Sequence, residues 1–279
     1  MAREGYRTLH GDLAKLKDKA GLNDPAAGTG YDDALWQLLA SVSDWVDGYC
    51  NRHFYPRIET LYFDVPNQSR ELEVPDLISV TSLKDDEDQD GTFENTWSSN
   101  DYQLYPINAQ PTQHWGKPYY QARASMLSSG DHEDGFPPGQ KVIEIAGLWG
   151  YRRYLEDSGA DINEGATFQA SDTTLTVTDG TKFSIGQTIY TLTGLTEQML
   201  VTNIATNDLT VVRGLNGTTA GAISNSTNLY ILRVPPSVER AALITAARIY
   251  TRATTFEPFY VDADVDTDVR LLLEPYRKV

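Results

Sequence analysis

The fold is decided by two stretches of sequence, KVIEIAGLWGYRRY at residues 141–154 and VPPSVERAALITAARIYTR at residues 234–252. The first alternates apolar and polar residues as a strand does, and the second follows two prolines with helical spacing. Between them, residues 163–232 are rich in threonine and contain short β-forming runs separated by DG, TG, ND and NG turn signals. This middle region therefore predicts a compact all-β module.

The rest of the chain, residues 1–162 and 233–279, predicts a discontinuous host domain into which that module is inserted. Helical spacing dominates its two ends, whereas ETLYFDV, RELEV, ISVTSLKD and DYQLYP are typical of strands. We therefore expect an α+β fold, in which the host combines a small helical bundle with a small β-sheet.

Charge and composition exclude several classes of protein. Among the 279 residues, 39 acidic side chains outnumber 23 basic ones, so the formal net charge is -16. Such a surface repels nucleic-acid phosphates and acidic membranes, which argues against gripping DNA but is compatible with letting DNA pass. The single cysteine, Cys50, excludes an internal disulfide and falls on an apolar helix face, which predicts a buried thiol. No segment is typical of a signal peptide or a transmembrane helix, which predicts use from a cytoplasm.

A helix of about five turns is predicted from Asp32 to near Asn51. Its apolar positions recur at helical spacing and are Leu35, Leu38, Leu39, Val42, Val46 and Tyr49. Asp33, Asp44 and Asp47 lie on the opposite side and form an acidic stripe. The pattern predicts one face that packs in a core and one that faces water or a partner.

Three arginines share one ridge of the predicted helix in the 234–252 stretch. Arg240, Arg248 and Arg252 stand at i, i+8 and i+12. One interpretation is that this arginine ridge meets carboxylates of a neighbouring subunit, including those of the acidic stripe. The alternative is a solvated face with local ion pairs, each of which stabilises the fold little.

The C-terminal stretch, FYVDADVDTDVRLLLEPYRKV, changes from a period of two to helical spacing. Its alternating acids are Asp262, Asp264, Asp266 and Asp268, and its helical apolar positions include Leu272, Leu273 and Tyr276. An acidic arm that leads into a short apolar helix suits docking onto a partner. Binding of a divalent cation is the weaker alternative, because carboxylates about 7 Å apart along a strand are too distant for one ion.

A long segment between residues 106 and 140 shows little periodicity and is rich in Gly, Pro, Ser and His. A loop of this length is either an excursion over a partner's surface or simply mobile. Its candidate contact residues are His114, Trp115, Tyr119 and Tyr120.

Motifs for catalysis and metal binding are missing or incomplete. The sequence contains no G-x-S-x-G, HExxH or G-x-x-x-x-G-K-[ST] motif, so we expect no enzyme and no catalytic, cofactor or metal site. Asp86, Asp88, Asp90 and Gly91 match the start of a calcium loop, but Trp97 stands where a bidentate glutamate is needed. A polar β-turn is therefore favoured there.

The order of these elements resembles that of the head-tail connector, or adaptor, proteins of long-tailed bacteriophages. The resemblance rests on the helix end with Arg52 and Phe54, on SVTSLKDDEDQDGT, on DYQLYP, and on VIEIAGLWGY leading to the proline-capped helix. It covers most of residues 9–150 and 234–277. The module at 163–232 departs from the compact adaptors, in which that strand leads almost directly into the helix.

The resemblance implies a homo-oligomeric ring of about twelve copies between the portal protein and the stopper or tail-completion protein. Double-stranded DNA would slide past its acidic surface without sequence-specific binding, and the arginine ridge would serve subunit contacts or phosphate guidance. The C-terminal stretch is then the candidate for portal docking, and the 106–140 segment for the tail side. The expected location is the virion neck, after synthesis in the bacterial host cytoplasm.

Two other classes of protein share parts of this pattern. Another virion part, such as a stopper, tail-completion or decoration protein, would have the same acidic composition and β module but would not bind the portal. A glycan-binding or glycan-cleaving protein would use the β module and paired carboxylates.

Overall fold

The computed structural model describes residues 7–22, 30–126, 134–192, 196–255 and 266–278. These residues form four α-helices and twelve strands, and the strands build two antiparallel sheets of six strands each. The expected α+β fold is thereby confirmed. The chain divides into two compact units, which we call the sheet unit (Tyr55–Tyr154) and the mixed unit (Met1–Phe54 with Leu155–Val279). No helix in the described ranges is both long and apolar enough to cross a membrane.

The first six-stranded sheet makes up the sheet unit. Its strands are β1 (Arg57–Val65), β2 (Glu71–Asp85), β3 (Asn95–Trp97), β4 (Tyr102–Tyr105), β5 (Tyr119–Ala124) and β6 (Gly139–Trp149). They lie in the order β1-β6-β2-β5-β4, and β3 pairs with the end of β2. The core of this unit includes Ile143, Ile145 and Trp149 of β6, and Trp97 stacks on Phe136 with ring centroids 4.7 Å apart.

The predicted loop between residues 106 and 140 is interrupted by β5, so that part of the prediction is wrong. Tyr119 and Tyr120 lie on this strand, which pairs with both β2 and β4. The strand escaped the sequence pattern because its buried positions include Ala122 and Ala124, whose small side chains have little β propensity. The long-range pairing, rather than the local sequence, makes this segment a strand.

The helices of the mixed unit are α1 (Leu13–Lys19), α2 (Asp32–Cys50), α3 (Pro236–Thr255) and α4 (Thr267–Leu273). Helix α3 packs against each of the other three and forms the centre of the bundle. The predicted apolar face of α2 is confirmed, since its buried residues include Leu35, Leu39, Val42, Val46 and Cys50. The helix ends at Asn51, which adopts the left-handed conformation common at helix ends, with φ 50°.

The second sheet lies in the mixed unit. Its strands are β7 (Leu155–Asp161), β8 (Thr174–Thr176), β9 (Thr188–Thr191), β10 (Glu197–Ala205), β11 (Asp208–Val212) and β12 (Asn228–Leu232), in the order β7-β12-β9-β10-β11-β8. The sheet begins at Leu155, ahead of residue 163, where we placed the start of the module. Its apolar core draws on its own residues, which include Phe168, Ile189, Met199 and Leu209.

The segment before α1 joins the second sheet to the helices. The hydroxyl of the buried Thr8 lies 3.2 Å from that of Thr188 and accepts a hydrogen bond of 2.7 Å from the side-chain amide of Asn216. The backbone N–H of Leu13 donates to the carbonyl of Ile185 at 2.9 Å. These bonds explain why the helices and the second sheet form one compact unit.

Candidate functional site

Asp47 lies in a buried polar cluster, contrary to the prediction that it faces water or a partner. Its carboxylate lies 2.6 Å from Nε2 of His10 and 3.3 Å from Nδ1 of His53, and the residue is only 8% exposed. His10 is fully buried, and its backbone N–H donates to the hydroxyl of Ser43 at 3.0 Å. The N-terminal segment covers this side of α2, so one acid of the acidic stripe serves the chain's own packing.

We expect this cluster to make the stability of the mixed unit depend on pH. Burial raises the pKa of Asp47, but hydrogen bonds and charge from His10 and His53 outweigh burial, so the pKa lies below its usual value of 3.8. A carboxyl with a depressed pKa stabilises the fold above its unfolded pKa, and that stabilisation is lost as the pH falls through the folded pKa.

We therefore expect Asp47→Asn to lower the free energy of unfolding by about 1.5–3 kcal/mol near pH 7, because a charged hydrogen-bond acceptor is lost. The gap between variant and wild type should shrink as the pH falls below about 4, where the unfolded carboxyl titrates. Urea denaturation of both proteins across this pH range measures the gap. A gap that does not change with pH would contradict the assignment.

The thiol of Cys50 is expected to be unreactive in the folded protein. Cys50 is fully buried, as its position on the apolar face of α2 predicted, and burial together with the nearby charge of Asp47 raises its pKa to about 12. Since the thiolate is the reactive form, labelling by a maleimide near pH 8 should be at least about 100-fold slower than in the urea-unfolded chain. Mass spectrometry of timed samples measures both rates, and equal rates would contradict the buried position.

Within the arginine ridge, Arg248 is engaged by its own chain. Its guanidinium donates to Asp266 at 2.6 Å and to the two oxygens of Asp268 at 2.9 and 2.6 Å. These hydrogen bonds raise the pKa of Arg248 and lower that of Asp268. Arg240 and Arg252 are exposed on α3, and their role in subunit contacts or phosphate guidance stays a prediction.

The two other acids of the acidic stripe lie on the surface of α2. Asp33 is exposed in the first turn, where a carboxylate favours the positive end of the helix dipole. Asp44 is exposed and forms an ion pair with Arg7 of the same chain. Their contact with the arginine ridge of a neighbouring subunit stays a prediction.

The C-terminal segment is anchored in its own unit. Asp262 and Asp264 fall outside the described residues. Leu273 is buried, Leu272 is partly buried, and the ring of Tyr276 meets that of Phe54 edge-on with centroids 5.7 Å apart. Leu273 and Tyr276 therefore pack within their own unit, and docking of this segment on the portal stays a prediction.

The part of the 106–140 segment before β5 is a well-fixed loop, residues 106–118. The backbone N–H groups of Lys117 and Arg153 donate to the carbonyls of Ala109 and Pro111, both at 2.9 Å, and Arg152 donates to the carbonyl of His114. The ring of His114 lies edge-on to Trp115, with centroids 4.4 Å apart. These hydrogen bonds therefore fix the backbone of the loop, while its outer side chains stay exposed.

Those outer side chains are unusually apolar. Trp115 is 62% exposed and Ile107 is 60% exposed. Gly116 permits the tight path of the loop, because a Cβ at this position would lie 2.0 Å from the carbonyl oxygen of Gln110. Tyr120 is also exposed, on the neighbouring strand β5. Large apolar side chains on a fixed backbone are typical of a protein-binding surface.

The segment that resembles a calcium loop forms an acidic turn at residues 85–94. Asp86 is buried, and its carboxylate accepts hydrogen bonds from the backbone N–H groups of Asp90 at 3.1 Å and Gly91 at 2.9 Å. Oxygens of Asp86, Asp88 and Glu94 lie within 4.8 Å of one another. Asp86 thus closes the turn, and the exposed carboxylates of Asp88 and Glu94 give its surface a high negative charge.

An ion pair that the sequence did not predict lies in the second sheet. Glu197 and Arg213 form two hydrogen bonds of 2.6 Å, and their side chains are 0% and 6% exposed. No sequence motif marks the pair, because Glu197 begins β10 and Arg213 directly follows β11, so the two residues meet only after these strands pair.

Comparisons with known proteins give one likeness in structure. No protein-family model and no curated protein matches the chain. A chain from a structure titled "Neck of empty GTA particle computed with C6 symmetry" is similar with 14% sequence identity and a TM-score of 0.44. The likeness covers 99% of this chain and 94% of that chain.

Proposed function

We propose that the chain is a structural, non-enzymatic subunit of a virion neck, which forms a ring between the portal and the stopper or tail and surrounds the DNA channel. The proposal draws on the resemblance of the segment order to phage adaptors. That order reappears in the fold, since α1, α2 and the first sheet precede the second sheet and α3 and α4 follow it. An extra sheet between host elements changes the surface of a subunit without disturbing the host core.

The observation that carries the proposal is the fixed loop at residues 106–118. Its backbone is held by bonds to Arg152 and Arg153, yet Ile107 and Trp115 remain mostly exposed. Large apolar side chains on a fixed backbone are suited to act as anchors in a partner. We assign this loop and Tyr120 to the tail-side contact, and the aspartates of the C-terminal arm, Asp262, Asp264, Asp266 and Asp268, to the portal side.

Net charge supports the proposed channel. Each copy carries a formal charge of -16, and a ring multiplies this charge around its axis. Acidic walls repel the phosphate backbone, so DNA passes without being held.

The proposal is tested by electron cryomicroscopy of particles that contain this protein. We expect a ring of copies between portal and tail. Trp115→Ala should yield heads that fail to join tails, whereas Ile58→Ala, which removes another exposed side chain of the sheet unit, should leave joining intact. Density elsewhere on the particle would refute the neck location, and normal joining by Trp115→Ala would refute the loop assignment.

A further inference from the structure

A basic and aromatic patch lies on the mixed unit, where the residues that follow α4 meet the end of α2. Trp45 stacks on Tyr49 with centroids 5.4 Å apart, and the guanidinium of Arg277 lies 5.3 Å from the Tyr49 ring. Arg277 also lines an open groove with Arg270 and Leu271. We call these five residues the C-terminal patch. Tryptophan, tyrosine and arginine are the residues most enriched at the centres of protein interfaces.

The C-terminal patch is held rigidly before any partner binds. Val269 and Leu273 bury the inner side of α4, and the backbone N–H of Lys278 donates to the carbonyl of Cys50 at 2.9 Å. Leu271 nevertheless stands 70% exposed on the outer side. Because the segment is already ordered, a partner would bind it without the entropy cost of folding it.

The charge of the C-terminal patch indicates an acidic partner. Within the described ranges, neither Arg270 nor Arg277 forms a salt bridge, and the carboxylate of Glu274, which lines the same groove, pairs with neither guanidinium. Both arginines lie beside Leu271, which is exposed, so charged and apolar groups lie together on this surface. The positive charge of these two arginines can therefore pair with carboxylates of another molecule.

The acidic turn supplies the complementary chemistry on another copy of the same chain. Its sequence, DDEDQDGTFE at residues 85–94, has no lysine or arginine. Asp88, Asp90 and Glu94 are exposed, and Phe93 is partly exposed beside them. Crowded carboxylates repel one another, and a guanidinium that donates to two of them relieves this repulsion.

We propose that the C-terminal patch of one copy binds the acidic turn of the next copy, with Arg270 and Arg277 facing Asp88 and Glu94. This contact rests on the proposed ring, because it joins different surfaces of two copies. A head-to-tail contact of this kind gives a ring when the rotation between copies closes, whereas a contact of a surface with itself stops at a dimer.

Reversal of charge on both sides tests the contact. Sedimentation velocity of the full chain at about 0.1 M salt, where surface charges still interact over about 10 Å, measures self-association. Arg270→Glu with Arg277→Glu should weaken self-association at least about tenfold, and Asp88→Lys with Glu94→Lys should do the same. An equimolar mixture of the two variants should associate again, because each altered surface then meets its opposite charge.

A matched control reverses the same number of positive charges outside the C-terminal patch. Lys19→Glu with Lys182→Glu replaces two exposed cations outside the C-terminal patch and should leave self-association unchanged. The proposal is overturned if the wild type remains monomeric throughout, if the control weakens association equally, or if the mixture fails to associate. None of these results contradicts the proposed location in the neck, because imaging of particles tests that location separately.

Discussion

Glu197→Ala is expected to lower the free energy of unfolding of the mixed unit by about 3–5 kcal/mol, because it leaves the buried guanidinium of Arg213 without its counter-charge. Glu197 is fully buried, and Arg213 is nearly so. The two hydrogen bonds of 2.6 Å between them are parallel, which is the strongest geometry for this pair.

In the variant, the Arg213 guanidinium is expected to stay buried, because other groups still bind it. Its guanidinium also donates to the carbonyls of Gln169, Asp172 and Gly221 at 2.8, 3.1 and 2.7 Å. The same group lies 4.3 Å from the centroid of the Phe168 ring. These contacts hold the positive charge inside the module, so the variant pays the full cost of burying it.

Hydrogen exchange of the β10 and β11 amides, followed by mass spectrometry, measures this loss locally. The matched control is Glu156→Ala, which removes an ion pair of 2.6 Å with Arg233 on the surface of the same sheet. Because that pair is exposed, its loss should cost no more than about 1 kcal/mol. Equal losses for Glu197→Ala and Glu156→Ala would show that burial does not govern the pair.

The second large effect is expected from Trp149→Ala in the sheet unit, which should lower the free energy of unfolding by about 3–5 kcal/mol. Trp149 ends strand β6, which lies between β1 and β2, and is 1% exposed. Its indole N–H donates to the carbonyl of Glu59 at 2.9 Å, and its ring lies 6.1 Å from that of Phe63. The substitution leaves a large cavity and removes the hydrogen bond from the indole to that carbonyl.

Trp115→Ala is the matched control, since it makes the same substitution on the exposed side of the same unit. We expect a change of less than about 0.5 kcal/mol, because little buried surface is lost. Urea denaturation followed by circular dichroism compares the variants without relying on tryptophan fluorescence. A destabilised Trp115→Ala would mean that the loop belongs to the core and is not a binding surface.

Together these controls separate folding from assembly. A residue that belongs to the fold, such as Trp149, should change stability first and joining of heads to tails only as a consequence. A residue that belongs to the proposed contact, such as Trp115, should change joining alone. The structure therefore allows the two roles to be tested with one type of substitution.

The sequence by itself determined the features that depend on near neighbours in the chain. The apolar positions of α2 recur every three or four residues, and those of β6 alternate, so both elements could be assigned from their own residues. The α+β class could be predicted from the same local patterns, because they show the order of helices and strands along the chain. The short alanine-bearing strand β5 was missed, since its pairing with β2 and β4 decides its conformation.

Only the tertiary structure decided which polar side chains are available to a partner. Asp33 and Asp47 share one predicted face of α2. Asp47 is nevertheless buried against His10, whereas Asp33 stays exposed. Arg248 and Arg240 share one predicted ridge, yet only Arg248 is matched by Asp266 and Asp268. The physical reason is that helix periodicity sets the direction of a side chain, whereas burial and charge pairing depend on segments far along the chain that return to meet it.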